Sequence, residues 1–272
     1  MKTHEQRTES FYAHGVENYG TFHSNYLNFG LWEDGTTDYV EAAERLLARI
    51  GAKIRLGRQS LLLDVACGMG TQDLFLMRRF GCAAIEAMDL TAKHIAVATA
   101  RNEFPNLSYR VGDACSLPFA ADTFTHVTAI EGVVHFNPRE KFFREALRVL
   151  KPGGILGMSD FCLAREPRSA VERFIIRACE WAWHVPTENT DTTRSYAAKL
   201  ARSGFTDAEI DVVSDQVIPG YLAEQERPEA RREQRRIRGA VIGTVGPVID
   251  WLVRTAYSRG LLAYILVMGR KA

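Results

Sequence analysis

The chain has 272 residues, 46% of them hydrophobic, 25% charged and 10% aromatic, with a formal net charge of +1. That composition excludes disordered, collagen-like and disulfide-scaffold classes. Thirty-four Lys and Arg against 33 Asp and Glu give no global electrostatic case for nucleic acid or an anionic membrane as partner. Six arginines at 227–238 are interleaved with glutamates and read as a solvated helix face. The five cysteines, at 67, 82, 115, 162 and 179, show no CxxC spacing, so reduced thiols in a cytoplasmic protein are expected. No secretory leader is expected from MKTHEQRTES, and Asp250, Arg254 and Arg259 interrupt the most apolar stretch too often for a membrane span.

Residues 1–58 read as an N-terminal helical cap rich in aromatics, among them Tyr12, Tyr19, Phe29 and Trp32. Apolar runs then predict strands at Leu61–Ala66, Ala83–Met88, Leu107–Val111, Phe124–Ile130 and Ile155–Phe161. Helical spacing separates them over Thr71–Phe80, over Thr91–Glu103 with Thr91 as N-cap, and after Pro138 until the glycines of KPGG. Two helices are expected within 167–203, a strand within 203–213 and a last strand at 261–269. The segment 214–260 is mostly helical and too long for a simple connection, so it reads as an inserted lid. The core is then 59–213 plus 261–272. Alternating strands and helices predict an α/β fold, a mostly parallel sheet with helices on both faces and ligands at the strand C-termini.

The most informative segment is LLLDVACGMGT at 61–71, a strand running into a glycine turn and then a helix. A phosphate-binding loop needs Lys-Ser/Thr after the last glycine, and Thr71-Gln72 stands there instead. A dinucleotide fingerprint needs a third glycine where the chain has Asp73, and both Asp73 and Asp64 would repel a pyrophosphate. A cationic, phosphate-free nucleoside such as S-adenosylmethionine suits these acids. Asp89 ends the second strand, where a carboxylate can grip ribose hydroxyls, and Asp113 of Gly112-Asp113-Ala114 can accept from an adenine amino group.

DVACGMG, Asp89 in MDLT, GDA at 112–114 and LKPGG at 150–154 together resemble the ordered motifs of class I S-adenosylmethionine-dependent methyltransferases. The likeness is strong over about 60–161. Its outer pieces, NFGLW at 28–32 and the 204–221 run, resemble the small-molecule branch: rebeccamycin-type sugar O-methyltransferases, tocopherol and sterol C-methyltransferases and sarcosine-type N-methyltransferases. One departure is Ala66 where the loop's first glycine usually stands. The resemblance implies a Rossmann-like, seven-stranded fold that uses S-adenosyl-L-methionine and releases S-adenosyl-L-homocysteine. It implies cofactor contacts from Tyr19, Asp64, Ala66, Cys67, Gly68, Gly70, Asp89, Leu90, His94, Asp113, Ala114, Ile130 and Glu131. Tyr12 and Trp32 are expected to join Tyr19 in screening the sulfonium.

In such a fold the acceptor lies beyond the fourth strand, here Ile130 to Phe136. No Asn-Pro-Pro-aromatic motif stands there, which counts against a nucleobase acceptor. His135 is the general-base candidate, because an imidazole of pKa near 6.5 accepts a proton near neutrality without extreme tuning. Likeness to the rebeccamycin type implies Asp160 as the residue that orients it. Trp181, Trp183, His184 and the lid would wall a pocket for a hydrophobic or ring-containing metabolite, as in specialised metabolite biosynthesis. The histidines show no metal-cluster spacing, and no metal is predicted. A homo-oligomer is left open. The rival readings are a non-methylating reaction such as a cyclisation on the same fold, or a non-catalytic binding protein.

Overall fold

The computed structural model describes residues 3–13 and 23–272. Seven strands form one sheet: β1 (Leu61–Val65), β2 (Ala84–Asp89), β3 (Leu107–Val111), β4 (Phe124–Ile130), β5 (Leu150–Leu163), β6 (Phe205–Val212) and β7 (Leu262–Lys271). Their order is β3-β2-β1-β4-β5-β7-β6. The first five pair in parallel, whereas β7 runs antiparallel to both neighbours, Asp160 of β5 lying opposite Ile265. This is the Rossmann-like class I methyltransferase arrangement. In-register pairing sets Val65 beside Met88 and Asp89 beside Val111, so the C-termini of β1, β2 and β3 share one edge.

Side-chain alternation splits the core in two. Leu62 and Ile85 join Leu46, Leu47 and Ile50 of α2 (Tyr39–Lys53) on one face. Leu63 and Val65 join Phe142 and Phe143 of α5 (Arg139–Val149) on the other. Helix α2 starts at Asp38, whose side chain accepts from Glu41 N–H, and presents its apolar stripe to the sheet. Between β1 and β2 lies α3 (Thr71–Phe80), and between β2 and β3 lies α4 (Ala92–Ala100). The chain precedes them with α1 (His4–Tyr12), which opens on a Thr3–Gln6 capping box.

The cap is less helical than expected, because 26–38 is mostly irregular. Its polar groups are satisfied locally: Asn28 Oδ1 accepts from Gly30 N–H, and Tyr39 O–H donates to Asn28 O. After β5 come α6 (Ala170–Ala182) and α7 (Thr193–Arg202), then α8 (Ser214–Glu226) and the 31-residue α9 (Pro228–Ser258). The last two fill the segment expected to be an insertion, with α9 against both α8 and α6. No helix among the described residues is long and apolar enough to cross a membrane.

Candidate active site

A cavity of about 190 Å³ opens at the C-terminal edge of β1, β2 and β4, under α1. Its floor is the glycine turn. Gly70 closes that turn at φ +77°, and a Cβ there would meet Tyr109 Oη at 2.6 Å and Ala98 Cβ at 2.8 Å. Only glycine fits both the backbone and the space. Ala66 also adopts a left-handed backbone, φ 63°, as does Glu131 at 57°. The two meet at Gly132, where a Cβ would stand 2.4 Å from that of Ala66. The methyl group at 66 is thus accommodated by a glycine across the cleft, and such backbone outliers cluster where structure serves a site.

Asp89 is buried and fully engaged. Gly68 N–H donates to its Oδ2 at 3.0 Å, while Thr91 N–H and His94 Nδ1–H donate to its Oδ1 at 2.8 and 3.2 Å. Burial alone would raise its pKa, but these donors outweigh it and hold the carboxyl below its usual range. Asp113 accepts from Cys115 N–H at 2.8 Å and lines the cavity with Ala114. Ala66, Cys67, Gly68, Leu90, His94, Ile130 and Glu131 line it too.

Several expected site residues are placed differently. Tyr19 lies outside the described residues. Asp64 sits beneath the loop rather than in the cavity, its oxygens taken by Thr128 O–H at 2.7 Å and Gln72 Nε2 at 2.5 Å. Gln72 lines the cavity, so Asp64 reaches it through that amide. Asp73 is wholly buried beside Asp64, and burial and the neighbouring carboxylate push its pKa well up. Gly70 faces Tyr109, not the cavity. Trp32 is drawn away to α8, where its backbone N–H donates to Gln216 O at 2.6 Å, while its indole N–H donates to Phe29 O at 2.9 Å. Trp183 lines the cavity. Trp181, 79% exposed, stands with His184 on an adjoining crevice of about 560 Å³.

Asp160 requires the largest correction. It is fully buried, accepts from Phe161 N–H at 2.8 Å and Tyr196 O–H at 3.0 Å, and lies 3.4 Å from Arg139 Nη2. A buried guanidinium needs a carboxylate, and Arg139 claims this one. The structure does not bring Asp160 to the imidazole of His135. Tyr12 of α1 stands there instead, its hydroxyl 2.7 Å from His135 Nε2. The His135 imidazole is half-buried, and desolvation, with His4 and His184 adding to it, brings its pKa down to about 4, so it is neutral near pH 7. His4 Nε2–H donates to the His135 carbonyl at 2.9 Å.

Glu131 was expected as a cofactor contact, and it also ties three segments together. Its Oε1 accepts from Phe29 N–H at 2.7 Å and from Tyr264 O–H at 2.5 Å. Burial pushes its pKa up to about 8. Phe29 stacks on Tyr221 of α8 with centroids 3.7 Å apart. Gln72, Phe29 and Phe161 line the cavity too, although the sequence offered Phe29 only as a cap aromatic and Gln72 and Phe161 only as a loop and a strand-end position. Among the described residues no group of three or more His, Cys, Asp or Glu could hold a metal ion.

A mostly parallel sheet with a glycine turn after β1, an acid ending β2 and an acid after β3 defines a class I methyltransferase. A methyltransferase-domain model matches residues 63–158. Erythromycin 3''-O-methyltransferase of Saccharopolyspora erythraea is 35% identical over 205 residues, covering 72% of this chain and 67% of that protein. The chain belongs to the S-adenosylmethionine-dependent methyltransferase family. Among solved structures, a putative sarcosine dimethylglycine methyltransferase from Galdieria sulphuraria superposes with a TM-score of 0.80 at 16% identity, covering 99% of both chains. The [4+2]-cyclase SpnF superposes at 0.77 with 22% identity, covering 99% of this chain and 96% of that one. At those identities the structures show the fold alone.

Proposed function

We propose that the enzyme O-methylates a hydroxyl of a ring-containing small metabolite, a glycosylated macrocycle of the erythromycin kind, in specialised biosynthesis. The observation that carries this reading is the hydroxyl of Tyr12 on Nε2 of a half-buried, neutral His135 inside the cavity of the glycine loop. That oxygen marks where an acceptor hydroxyl can sit against the base. The relative at 35% identity is named for methylating an oxygen of erythromycin, which supports the same chemistry.

The residues present fit S-adenosylmethionine. Gly68, whose N–H already meets Asp89, would carry the adenosyl group against the loop, with Asp89 on the ribose hydroxyls and Asp113 near the adenine. Gln72 and Glu131 would face the methionine end. When bound, S-adenosylmethionine supplies an electrophilic methyl carbon. His135 Nε2 takes the acceptor's hydroxyl proton as that oxygen displaces the Tyr12 hydroxyl from the imidazole. Phe29, Phe161 and Trp183 exclude water and hold the acceptor ring. Most of the rate would come from positioning, on the order of 7–11 kcal/mol, and His135 would add about 10²–10⁴-fold. All five cysteines are free, which supports a reducing, cytoplasmic setting.

The test is S-adenosylhomocysteine release with macrolide glycosides as acceptors. Release with a product heavier by one methylene supports the reading, whereas product without S-adenosylhomocysteine points to a non-methylating reaction. His135→Ala should lower kcat by about 10²–10⁴-fold at unchanged S-adenosylhomocysteine affinity, and Tyr12→Phe should leave kcat within a few-fold. Equal losses in both variants would remove His135 from its role.

A further inference from the structure

We propose that Asn189 is the positioning residue for His135, fixing the imidazole-bearing turn from behind while α1 meets it from the cavity side. This rests on the reading of His135 as the base. His135 ends a short 3-10 turn, Val133–His135, between β4 and α5. The carbonyls on either side of it both accept from one buried side chain: Asn189 Nδ2 donates to Val134 O at 3.0 Å and to Phe136 O at 2.7 Å. Its Oδ1 accepts from Arg139 N–H at 3.1 Å, at the start of α5.

Both Nδ2 protons and Oδ1 are therefore used on the segment that carries the base. A buried amide held at both protons and at its oxygen has little freedom to shift, since each lost bond leaves a buried carbonyl or N–H unpaired. Asn189 lies in the connection from α6 to α7, which also carries Trp183 of the cavity wall and His184. Asp191, two residues on, pairs with Lys199 at 2.7 Å and with the buried Arg139 at 3.4 Å. One anchored segment thus sets both the acceptor wall and the base. The charged and titratable groups around His135 are Tyr12, His4 and Glu5 of α1 and His184 of this segment. Asn189 adds no charge to them and acts through geometry.

The imidazole resonances of His135, followed by NMR against pH in the S-adenosylhomocysteine complex, read this directly. In Asn189→Ala, and in the milder Asn189→Ser, the His135 titration should move at least one pH unit up towards the ordinary 6.5, while that of His126, in β4 with its ring on the Ile54 carbonyl, stays fixed. With an accepted macrolide glycoside, kcat should fall about 10- to 100-fold, with KM for S-adenosylmethionine within two-fold. Tyr196→Phe is the structural control: it alters the same buried network without touching the 134 or 136 carbonyls, and should lower Tm without moving His135. In the wild type, the Asn189 amide protons should exchange slowly with solvent. Fast exchange, or an unmoved His135 titration in a variant that still binds S-adenosylhomocysteine, would overturn the proposal. Full turnover in His135→Ala would instead overturn the base reading and leave the titration result standing.

Discussion

Glu131 and His135 carry opposite proton linkages only four residues apart. Glu131 holds its proton to about pH 8 when folded but ionises near 4.5 when unfolded. The folded state binds more protons across that window, so this contribution is complete below 4.5 and is lost as pH rises towards 8. His135 titrates near 4 when folded, against an ordinary 6.5. The unfolded state then binds more protons between those values, and this contribution is complete above 6.5 and is lost as pH falls towards 4. Glu131→Gln mimics the protonated acid and can keep accepting from Phe29 and Tyr264. Melting curves at pH 6 and pH 9 should show the wild type losing several degrees more than the variant on going to pH 9. Parallel losses would mean that Glu131 is already ionised at pH 6.

At the level of elements, strand ends and their turns carry the site, and these were largely legible in the sequence. DVACGMG, Asp89 and Gly112-Asp113-Ala114 each sit where a strand must stop and a backbone must turn, so local pattern places them. Asp160 was misread because it too ends up near a strand terminus, and a sequence does not show which cation lies across the fold. Arg139, 21 positions earlier, reaches it from α5. The same holds for Tyr12, whose contact with His135 joins residues 123 positions apart, and for Asn189. Asp160→Ala should cost up to about 3–5 kcal/mol of stability, because it removes one of the two carboxylates beside a buried guanidinium. Urea unfolding of the variant measures that cost, and unchanged stability with lost turnover would restore Asp160 to the chemistry.

For the whole molecule, helix α8 and the segment that precedes α2 pack together beside the cavity. Trp32 N–H on Gln216 O, Phe29 on Tyr221 and Glu131 between Phe29 and Tyr264 join them. Aromatic content in 1–58 and the length of 214–260 suggested a cap and a lid, but pairing between distant segments is a property of packing and left no local pattern to read. The account depends on the cavity holding an adenosyl sulfur compound against Asp89. Isothermal titration of S-adenosylhomocysteine into the wild type and Asp89→Asn, with NAD as control, measures this most directly. Losing a charge-assisted hydrogen bond, worth about 1.5–3 kcal/mol, should weaken S-adenosylhomocysteine binding about tenfold or more in the variant, with no heat from NAD. Equal affinity in both proteins, no binding in either, or binding of NAD would contradict the account.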